Sequence, residues 1–519
     1  MTGIEMSFDF GKPRPDGSSP QPVESGQLFR ILVVGDFSGR ASRRDDELAA
    51  PTFVPRAVDL DSFDGVMRHL APALRLTLPG GAAAPIRIGF DDLDDFEPDR
   101  LFARLPLFAR LRDLRRRLAD PSTFEQAAAE LRADDAANAP APAAAGGAAA
   151  RPAAEDDSAT LERLLGRAPD AVPTTQAPPA GSADAVVERL LRGIVAPFVV
   201  PATSHLQQPM IDSVDRAIGE TMRAILRDPF WRSLEGNWRA VDRFIHGVEM
   251  DGQVLLELVD ASAADMLGSL AAVQGDAGST PLARSLASRR MHEGQPEGYA
   301  VVVALYEFGT SAAELALLAG LGALAAREGA VLLGSAAPTL ALVDAPTAWQ
   351  GVYPLDVDSA AQARWQAMRS SWVAAHIGLV WPSVLSRLPY GAKSQPVSAF
   401  EFEEVAGGAA APQLPWRLAA LDLAGLLASA YGEAGWQLQE ESAVELQDLP
   451  AFIDRSGDSP RLQAVAELFI SEAQAQAVAA SGVMPLVSHR GLPHARLATW
   501  RSIASKEPQL KARWGGRSP

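Results

Sequence analysis

The chain has 519 residues, no cysteine and a formal net charge of −17 at pH 7. This length exceeds that of one ordinary domain, and the absence of cysteine excludes disulfides and thiolate metal sites. The acidity argues against a general binder of nucleic acid or membrane surfaces, because such proteins usually present a basic face. The start, MTGIEMSFDFGKPRPDG, lacks the basic and apolar regions of a signal peptide. We therefore expect a cytoplasmic protein without direct membrane insertion.

The N-terminal part predicts a small α/β domain. Residues 1–27 are polar and rich in Pro and Gly, which predicts a flexible arm. FRILVV (29–34) predicts a strand that ends at the turn GDFSGR. Regular spacing also predicts a helix at 61–74, paired strands at 75–79 and 85–90, and one helix at 99–119. Together these elements predict a domain over residues 28–132.

Residues 133–183 predict a linker. They are rich in Ala, Pro and Gly, and such a composition cannot bury enough apolar surface to offset the entropy of ordering. We place the domain boundary here, and a second domain over residues 184–519. Within it, DAVVERLL (184–191) predicts a short helix.

The second domain predicts helices followed by strand–helix–strand units. Apolar residues at steps of three and four predict a helix over 209–228. Two apolar runs that predict strands are VLLELVD (254–260) and YAVVVALYEF (299–308). A helix over 311–329 and a strand starting with VLLGSAA follow, and this order predicts a parallel crossover. HIGLVWPSVLSRLPYG then predicts a buried strand that ends in a loop. The fold class is mixed α/β.

Three patterns resemble ligand sites but are better explained by structure. GLGALA (320–325) matches a dinucleotide fingerprint, yet its glycines lie inside a predicted helix instead of directly after a strand. DDLDDFEPD (91–99) is acidic, yet Phe96 stands where a calcium loop needs Gly, so capping of the next helix explains it better. The histidines show no zinc spacing stronger than the pair His489 and His494. We predict neither metal nor cofactor.

No catalytic centre is visible either. Ser38 lies in GDFSGR, which is not the G-x-S-x-G of a nucleophile elbow. Tyr390 and Lys393 lie in the polar stretch LSRLPYGAKSQPVSAFEFEE (385–404), where nothing nearby supplies a base. RLRDLRRRLAD (110–120) predicts a helix that buries its leucines and exposes its arginines, with an acidic partner surface as the alternative. The residues therefore predict packing or assembly, and not an enzyme.

The order of motifs in the first part resembles one known family. ILVVGDFSGR, then RAVDLDSFDGVMRHLAPAL, then IRIGFDDLDDFEPDRLFARLPLFARLRDLRRRL are similar to the small contractile sheath subunit of the bacterial type VI secretion system. The resemblance covers residues 28–119.

The second part resembles the large sheath subunit of the same system over residues 209–510. FWRSLEGNWRAVDRFIHGVEMDGQVLLELVDAS is similar to its "LE-x-x-W-R-G" region, with Ala240 in place of the usual Gly. GLVWPSVLSRLPYGAKSQPVSAFEFEE matches the pattern "R-L-P-Y-G…F-x-F-E-E" most closely. The chain thus resembles a fusion of the two subunits.

The resemblance implies a structural function. Small and large sheath subunits polymerise around an inner tube, and contraction of the sheath drives the tube outward, with stored conformational energy instead of catalysis. The implied partners are the chain itself or other sheath subunits, the inner tube protein, the baseplate and a sheath-recycling ATPase, for which residues 184–191 are a candidate recognition segment.

The family motifs supply the residues to which we assign a structural or interface role. They are Asp36, Phe37, Ser38, Gly39, Arg40, Asp95, Phe96, Pro98, Trp238, Arg239, Arg387, Leu388, Pro389, Tyr390, Gly391 and Phe402. We expect Arg387, Pro389, Tyr390 and Gly391 to form a structural loop packed on Phe400 and Phe402.

A second hypothesis follows from the end of the chain. SGVMPLVSHRGLPHARLATWRSIASKEP resembles the late "G-F-x-P-L" region of the family's large subunit. That subunit continues past this region with an "A-N-A" motif and a strand-bearing segment, whereas this sequence ends at KEPQLKARWGGRSP. Terminal strands complete shared sheets in the sheath, so a shortened C-terminus is expected to remove part of that mesh. The alternative is therefore a non-polymerising adaptor or cap that binds the sheath end or the baseplate.

Overall fold

The computed structural model describes residues 28–43, 49–78, 85–138, 207–250, 252–292, 298–341, 359–405, 413–454, 461–462, 465–489 and 491–514. The predicted N-terminal arm (1–27), the predicted helix 184–191 and all of the predicted linker after residue 138 lie outside these ranges. The chain divides into two compact units. Unit 1 comprises residues 1–77, 85–105 and 219–519, and unit 2 comprises residues 78–84 and 106–218.

Helices and strands alternate along much of the chain. The helices are α1 (Phe63–Leu70), α2 (Pro98–Arg104), α3 (Pro106–Ala119), α4 (Phe124–Asn138), α5 (Gln207–Leu226), α6 (Pro229–Gly247), α7 (Ala263–Ala272), α8 (Pro281–His292), α9 (Ala312–Glu328), α10 (Pro338–Ala341), α11 (Ser359–Arg369), α12 (Ala420–Ala434) and α13 (Glu472–Ala480). The strands are β1 (Phe29–Gly35), β2 (Arg56–Val58), β3 (Ala73–Leu76), β4 (Ile86–Gly89), β5 (Val254–Asp260), β6 (Val301–Phe308), β7 (Val331–Ala336), β8 (Ile377–Trp381), β9 (Val384–Leu385), β10 (Trp416–Arg417), β11 (Glu445–Leu446), β12 (Ile453–Asp454), β13 (Arg461–Leu462), β14 (Met484–Ser488) and β15 (Ala495–Leu497).

A nine-stranded sheet organises unit 1 in the described part of the chain. Its strand order is β11-β15-β14-β8-β7-β6-β1-β5-β2. The strands from β14 to β5 in this order run parallel, whereas β2, β15 and β11 pair antiparallel at the two edges. Strand β1 lies between β5 and β6, so strands from both sides of the predicted linker share one sheet.

The apolar composition of the central strands explains their position. Every residue of β1 is buried, and so is every residue of β7 and β8. Strands that are apolar on both faces need a layer of helices on each side. On one face, α9 packs against β6 and β7, and on the other α12 packs against β1, β6 and β7. The mixed α/β class predicted from the sequence is confirmed.

Most of the predicted elements are confirmed, including the strands at 29–34 and 254–260 and the crossover formed by β6, α9 and β7. Helix α9 ends as expected, because Gly329 adopts φ 68° and caps it. Gly320 and Gly322 lie inside α9 where a Cβ atom would come within 2.5 Å of Leu270 and Ile377. These glycines therefore serve close packing, as the sequence predicted.

One predicted helix is wrong. Residues 99–119 form two helices, α2 and α3, which are separated at Leu105. Leu105 is extended (φ −77°, ψ 128°) because it precedes Pro106, and proline disfavours the helical conformation in the residue before it. Pro106 instead occupies the first position of α3, where no N–H is needed.

The described part of unit 2 is helical and contains α3, α4 and residues 207–218 of α5. Helix α3 packs against α4 and buries Leu107, Leu111 and Leu118, while Leu114 is half-buried. On its outer side Arg115 forms an ion pair with Asp215 of α5 at 2.5 Å. The predicted division into buried leucines and outward arginines is thus confirmed for most of this helix. No helix of the described ranges is long and apolar enough to cross a membrane.

Candidate functional site

Helix α6 of unit 1 gathers most of the residues singled out from the sequence. It begins at Pro229, and the Asp228 carboxylate caps it by accepting hydrogen bonds from the N–H groups of Phe230 and Trp231 at 2.8 and 3.2 Å. Its buried face carries Trp231, Glu235 and Trp238. Three separate motifs of the sequence meet this face.

The first motif is the turn GDFSGR after β1, here termed the Asp260 turn (Asp36, Phe37, Ser38 and Asp260). Asp260, the last residue of β5, accepts hydrogen bonds from the N–H groups of Phe37 and Ser38, both at 2.9 Å, and from Ser38 Oγ at 2.7 Å. Parallel strands end at the same edge, so the ends of β1 and β5 bring these groups together. Gly39 has φ 73°, a conformation that glycine adopts without strain.

Two side chains of α6 hold the backbone of this turn. Trp238 Nε1 donates to the carbonyl oxygen of Phe37 at 2.9 Å, and Asn237 Nδ2 donates to that of Asp36 at 3.1 Å. The Trp238 ring also packs edge-on against Phe37, with centroids 5.4 Å apart. The structure thus brings the motif residues Asp36–Arg40 and Trp238 into one contact region.

The carboxylates of the turn have raised pKa values. Burial raises the pKa of Asp260 more than its hydrogen bonds with Ser38 and Phe37 lower it. Burial also raises the pKa of Asp36, although the N–H groups of Arg40 and Ala41 donate to its carboxylate. Arg40 forms its ion pair with Asp265 at 2.7 Å, at the start of α7. The turn therefore depends on backbone donors more than on a paired cation.

The second motif, around Asp95, Phe96 and Pro98, packs on the start of α6. Phe96 stacks on Phe90 with centroids 4.2 Å apart and contacts Trp231 edge-on at 5.4 Å. Asp95 is buried, accepts from Asp91 N at 2.7 Å and pairs with Arg104 at 2.6 Å. Pro98 begins α2. These contacts explain the acidic stretch as a structural turn.

The third motif contains a buried network that we term the Arg387 cluster (Glu235, Arg239, Arg387 and Glu404). Arg387 Nε donates to Glu235 Oε1 at 2.7 Å, while its two terminal nitrogens donate to the two carboxylate oxygens of Glu404 at 2.7 and 3.0 Å. Arg239 Nε donates to Glu235 Oε1 at 2.8 Å. Two guanidinium groups thus face two carboxylates, which balances the charge.

Arg387, Glu235 and Glu404 are buried, so their charges interact strongly with one another. Arg387 is 5% exposed, Glu235 2% and Glu404 0%. Burial alone would raise the pKa of Glu235, but the positive charges of Arg387 and Arg239 outweigh it and lower the pKa to about 2. The two carboxylates raise the pKa of Arg387 against the opposing effect of its burial. Glu235 and Arg387 are therefore ionised at neutral pH.

The Arg387 cluster also shapes the loop 385–404. The Arg387 guanidinium lies over the ring of Tyr390, 4.1 Å from its centroid. Tyr390 N donates to Glu404 Oε2 at 2.8 Å, and Glu404 N donates to the carbonyl oxygen of Tyr390 at 2.9 Å. A Cβ atom at Gly391 would lie 2.2 Å from Glu403 Oε2, which is the end of an exposed side chain that can move aside. Pro389 is buried and Leu388 is half-buried.

The far end of this loop lies against α2. Phe400 stacks on Phe102 with centroids 4.5 Å apart and lies 5.5 Å from Phe402, which is buried. The Asp99 carboxylate accepts hydrogen bonds from the N–H groups of Ser398 and Ala399. The aromatic residues of the motif therefore anchor the loop to α2, whereas Arg387 stacks on Tyr390.

The hydrogen bonds and ion pairs of these three regions join separate segments of the chain. Most of their carboxylates accept hydrogen bonds from backbone or guanidinium donors, and Asp260 also accepts from Ser38 Oγ at 2.7 Å. In the described ranges no group of three or more His, Cys, Asp or Glu side chains could hold a metal ion. The rings of His489 and His494 lie 5.9 Å apart. The interface role assigned to the motif residues stays a prediction, since their partners here belong to the chain itself.

Sequence reasoning missed the acidic partners Glu235, Glu404 and Asp260. The two glutamates stand in the motifs LEGNWR and FEFEE, and a buried guanidinium needs a carboxylate partner. Asp260 ends a predicted parallel strand, where side chains from neighbouring strands meet. The signals were present, but only the fold shows which charges pair.

Comparison with known proteins agrees with this geometry. Residues 208–504, more than half of the chain, match the family model described as EvpB/VC_A0108, tail sheath N-terminal domain. Residues 23–133 match the model described as type VI secretion system, VipA, VC_A0107 or Hcp2. Among curated proteins, the type VI secretion system sheath protein TssC1 of Pseudomonas aeruginosa is 26% identical over 306 residues. That alignment covers 57% of this chain and 61% of the relative.

The two matches follow one another in the order of the two predicted segments, and strands from both segments share one sheet. The chain belongs to the EvpB/VC_A0108 tail sheath family of type VI secretion, and it carries a VipA-type segment ahead of the tail sheath domain.

Proposed function

We propose that the chain is a structural protomer of a type VI secretion sheath in the bacterial cytoplasm, in which small and large subunits are fused. It assembles with further copies or with separate sheath subunits around an inner tube, and contraction of the assembly drives secretion. The proposed further partners are the inner tube protein, the baseplate and a sheath-recycling ATPase. Conformational energy, and not catalysis, supplies the work.

The observation that carries this proposal is the position of β1. The strand belongs to the VipA-type segment, yet it lies between β5 and β6 of the tail sheath domain. A fusion fixes the ratio of the two segments at one to one, and a tether raises the effective concentration of one at the other. The chain therefore carries segments of both sheath subunits in a one-to-one ratio.

Negative-stain electron microscopy of the purified full chain tests this function, first alone and then with its cognate inner tube protein. We expect tubes or cogwheel-shaped rings, either spontaneously or on addition of the tube protein. An unrelated ring-forming protein of similar charge serves as the control for non-specific templating. Monodisperse particles under both conditions would contradict the proposal and indicate a sheath-like adaptor or cap. Nucleotide hydrolysis with ordinary turnover would contradict it as well.

A further inference from the structure

The apolar pattern of the central strands does not determine their register, which is the set of residues that lie opposite each other on neighbouring strands. Strand β1 reads FRILVVG and is buried along its whole length, and β6 begins with the apolar run VVVAL. A slip of two residues returns every side chain to the same face of the sheet. When both faces are apolar, such a slip exchanges one buried aliphatic residue for another. Something else must therefore distinguish the correct register.

A buried ionic group lies at this point. It is termed here the Glu257 cluster (Arg30, Glu257, Arg289 and Tyr299). Arg30 of β1 donates to Glu257 Oε2 of β5 at 2.7 Å, and Tyr299 donates to the same oxygen at 2.8 Å. Arg289 of α8 pairs with Glu257 Oε1 at 2.5 Å. Arg30 is 5% exposed and Glu257 0%.

The register places the two charges diagonally across the strand pair. Arg30 lies opposite Leu255, and Leu32 lies opposite Glu257. If β1 slipped so that Arg30 faced Gln253, four residues before Glu257, the two Cα atoms would move to about 13 Å apart along the strands. The opposite slip would keep the charges close, and either slip would move Ser38 about 7 Å from Asp260. The two polar contacts together oppose both slips.

We propose that Arg30 and Glu257 form a specificity lock that selects β1 for the slot between β5 and β6 and sets its register there. A buried ion pair contributes little net stability compared with apolar residues of similar size, but an unpaired buried charge is strongly unfavourable. The pair therefore penalises every arrangement that separates it. Fixing the register of an assembly is the best-attested use of such buried polar groups.

The ion pair between Arg30 and Glu257 also disfavours a sheet in which β5 pairs directly with β6 and β1 is left out. Arg30 and Glu257 are separated by 227 residues in the chain, whereas β5 and β6 are near neighbours in sequence and could pair directly. In that arrangement Glu257 would be buried in the sheet without Arg30. Burial alone raises the pKa of Glu257, and the hydrogen bonds from Arg30, Arg289 and Tyr299 lower it, so the cluster holds an ionised carboxylate. The inference concerns recognition within the chain and holds whether or not tubes form.

The test compares three variants of the full chain: Arg30→Leu, Glu257→Leu and the double variant Arg30→Leu/Glu257→Leu. Glu257→Leu leaves Arg30 buried without a carboxylate, and we expect the ratio of folded to unfolded protein to fall by about a hundredfold or more. Arg30→Leu leaves Glu257 with Arg289 and Tyr299, so we expect a smaller fall in that variant. In the double variant most of this loss should be recovered, because no unpaired charge remains at the centre. Arg289 remains in the double variant, but its side chain is 26% exposed, so water can solvate its charge.

Register is measured separately from stability, with engineered cysteines. The sequence contains no cysteine, so disulfide formation reports only the introduced pair. Val33→Cys with Leu258→Cys reports the native register, since these residues are opposite each other on the face away from Arg30. Val33→Cys with Leu256→Cys reports the slip toward Gln253. In the native register the second pair lies diagonally, beyond the Cα separation that a disulfide spans.

With the lock intact, we expect cross-linking of the first pair alone. In the double variant we expect the slipped pair to cross-link as well, although stability is largely retained. A double variant that cross-links only in the native register would overturn the proposal, and so would single variants as stable as the parent. The matched control is Arg417→Leu/Asp422→Leu, which removes another buried ion pair of unit 1 and should not change the register of β1.

Discussion

The Arg387 cluster and the Asp260 turn bury the same chemical group against the same helix, with opposite consequences. Glu235 faces two guanidinium groups, and its pKa falls to about 2 although burial opposes this shift. Asp260 faces N–H groups and a hydroxyl, and burial raises its pKa. The first region therefore depends on charge, whereas the second depends on the geometry of its hydrogen bonds. The following predictions test this distinction.

The largest effect is expected at the centre of the Arg387 cluster. Replacing Arg387 with Met removes the cation that both buried carboxylates share, and leaves Glu404 without its guanidinium partner. We expect the free energy of unfolding to fall by about 3–5 kcal/mol, which is typical when one partner of a buried ion pair is removed. Chemical denaturation at pH 7 measures this loss.

The control for this variant is Arg115→Met. Arg115 and Asp215 form an ion pair whose side chains are 48% and 40% exposed. Exposed pairs contribute about 0–1 kcal/mol, so the control should change little. If Arg387→Met lost less than about 3 kcal/mol, the Arg387 cluster would not depend on its charge. The contrast with the Asp260 turn would then fail.

The intermediate effect concerns the pH dependence of Glu235. Its folded-state pKa of about 2 lies below the ordinary 4.5, so its ionisation stabilises the fold above pH 4.5. This contribution is lost as the pH falls from 4.5 toward 2, and its full size is about 3 kcal/mol. Glu235→Gln removes this group from the titration and costs a similar amount at neutral pH.

The measurement is urea denaturation of parent and Glu235→Gln at a series of pH values. The difference between the two proteins should be largest at neutral pH and should shrink as the pH falls below 4.5. Taking the difference cancels the other carboxylates, several of which also have lowered pKa values. A difference that is constant with pH would show that Glu235 is not held ionised by its arginines.

These two regions also show how far the sequence alone can lead. The strands β1, β5, β6 and β7 and the helix α9 follow from local apolar patterns, and those predictions hold. Motifs such as GDFSGR and RLPYG, which resemble those of the sheath subunits, contain residues that contact α6. Such motifs are short and local, so one sequence suffices to find them.

The pairing of charges could not be predicted, because it joins residues far apart in the chain. Glu235 and Arg387 are 152 positions apart, and Ser38 and Asp260 are 222 apart. The pairing of β1 with β5 brings Ser38 to Asp260, and no local pattern encodes that order of strands. The break of the helix at Leu105 was local, in contrast, and Pro106 could have indicated it.

The smallest effect is expected at Asp260, and it is the sharpest test of the comparison. Asp260→Asn keeps an Oδ1 atom that accepts from the N–H groups of Phe37 and Ser38, both at 2.9 Å. The amide Nδ2 then donates to Ser38 Oγ, which reverses the present hydrogen bond of 2.7 Å without moving the atoms. We expect a change within about 1 kcal/mol at pH 7, although the same acid-to-amide change at Glu235 costs about 3 kcal/mol.

The pH dependence of Asp260→Asn should have the opposite sign to that of Glu235→Gln. The folded-state pKa of Asp260 is raised, so its contribution is fully present below the unfolded pKa and is lost as the pH rises through the folded pKa. Relative to the parent, Asp260→Asn should therefore gain stability between acidic and neutral pH. Asp260→Ala is the control, because it removes all the acceptors and should cost about 1–3 kcal/mol. If the asparagine variant lost as much as the alanine variant, the charge of Asp260 would be essential and the turn would resemble the Arg387 cluster.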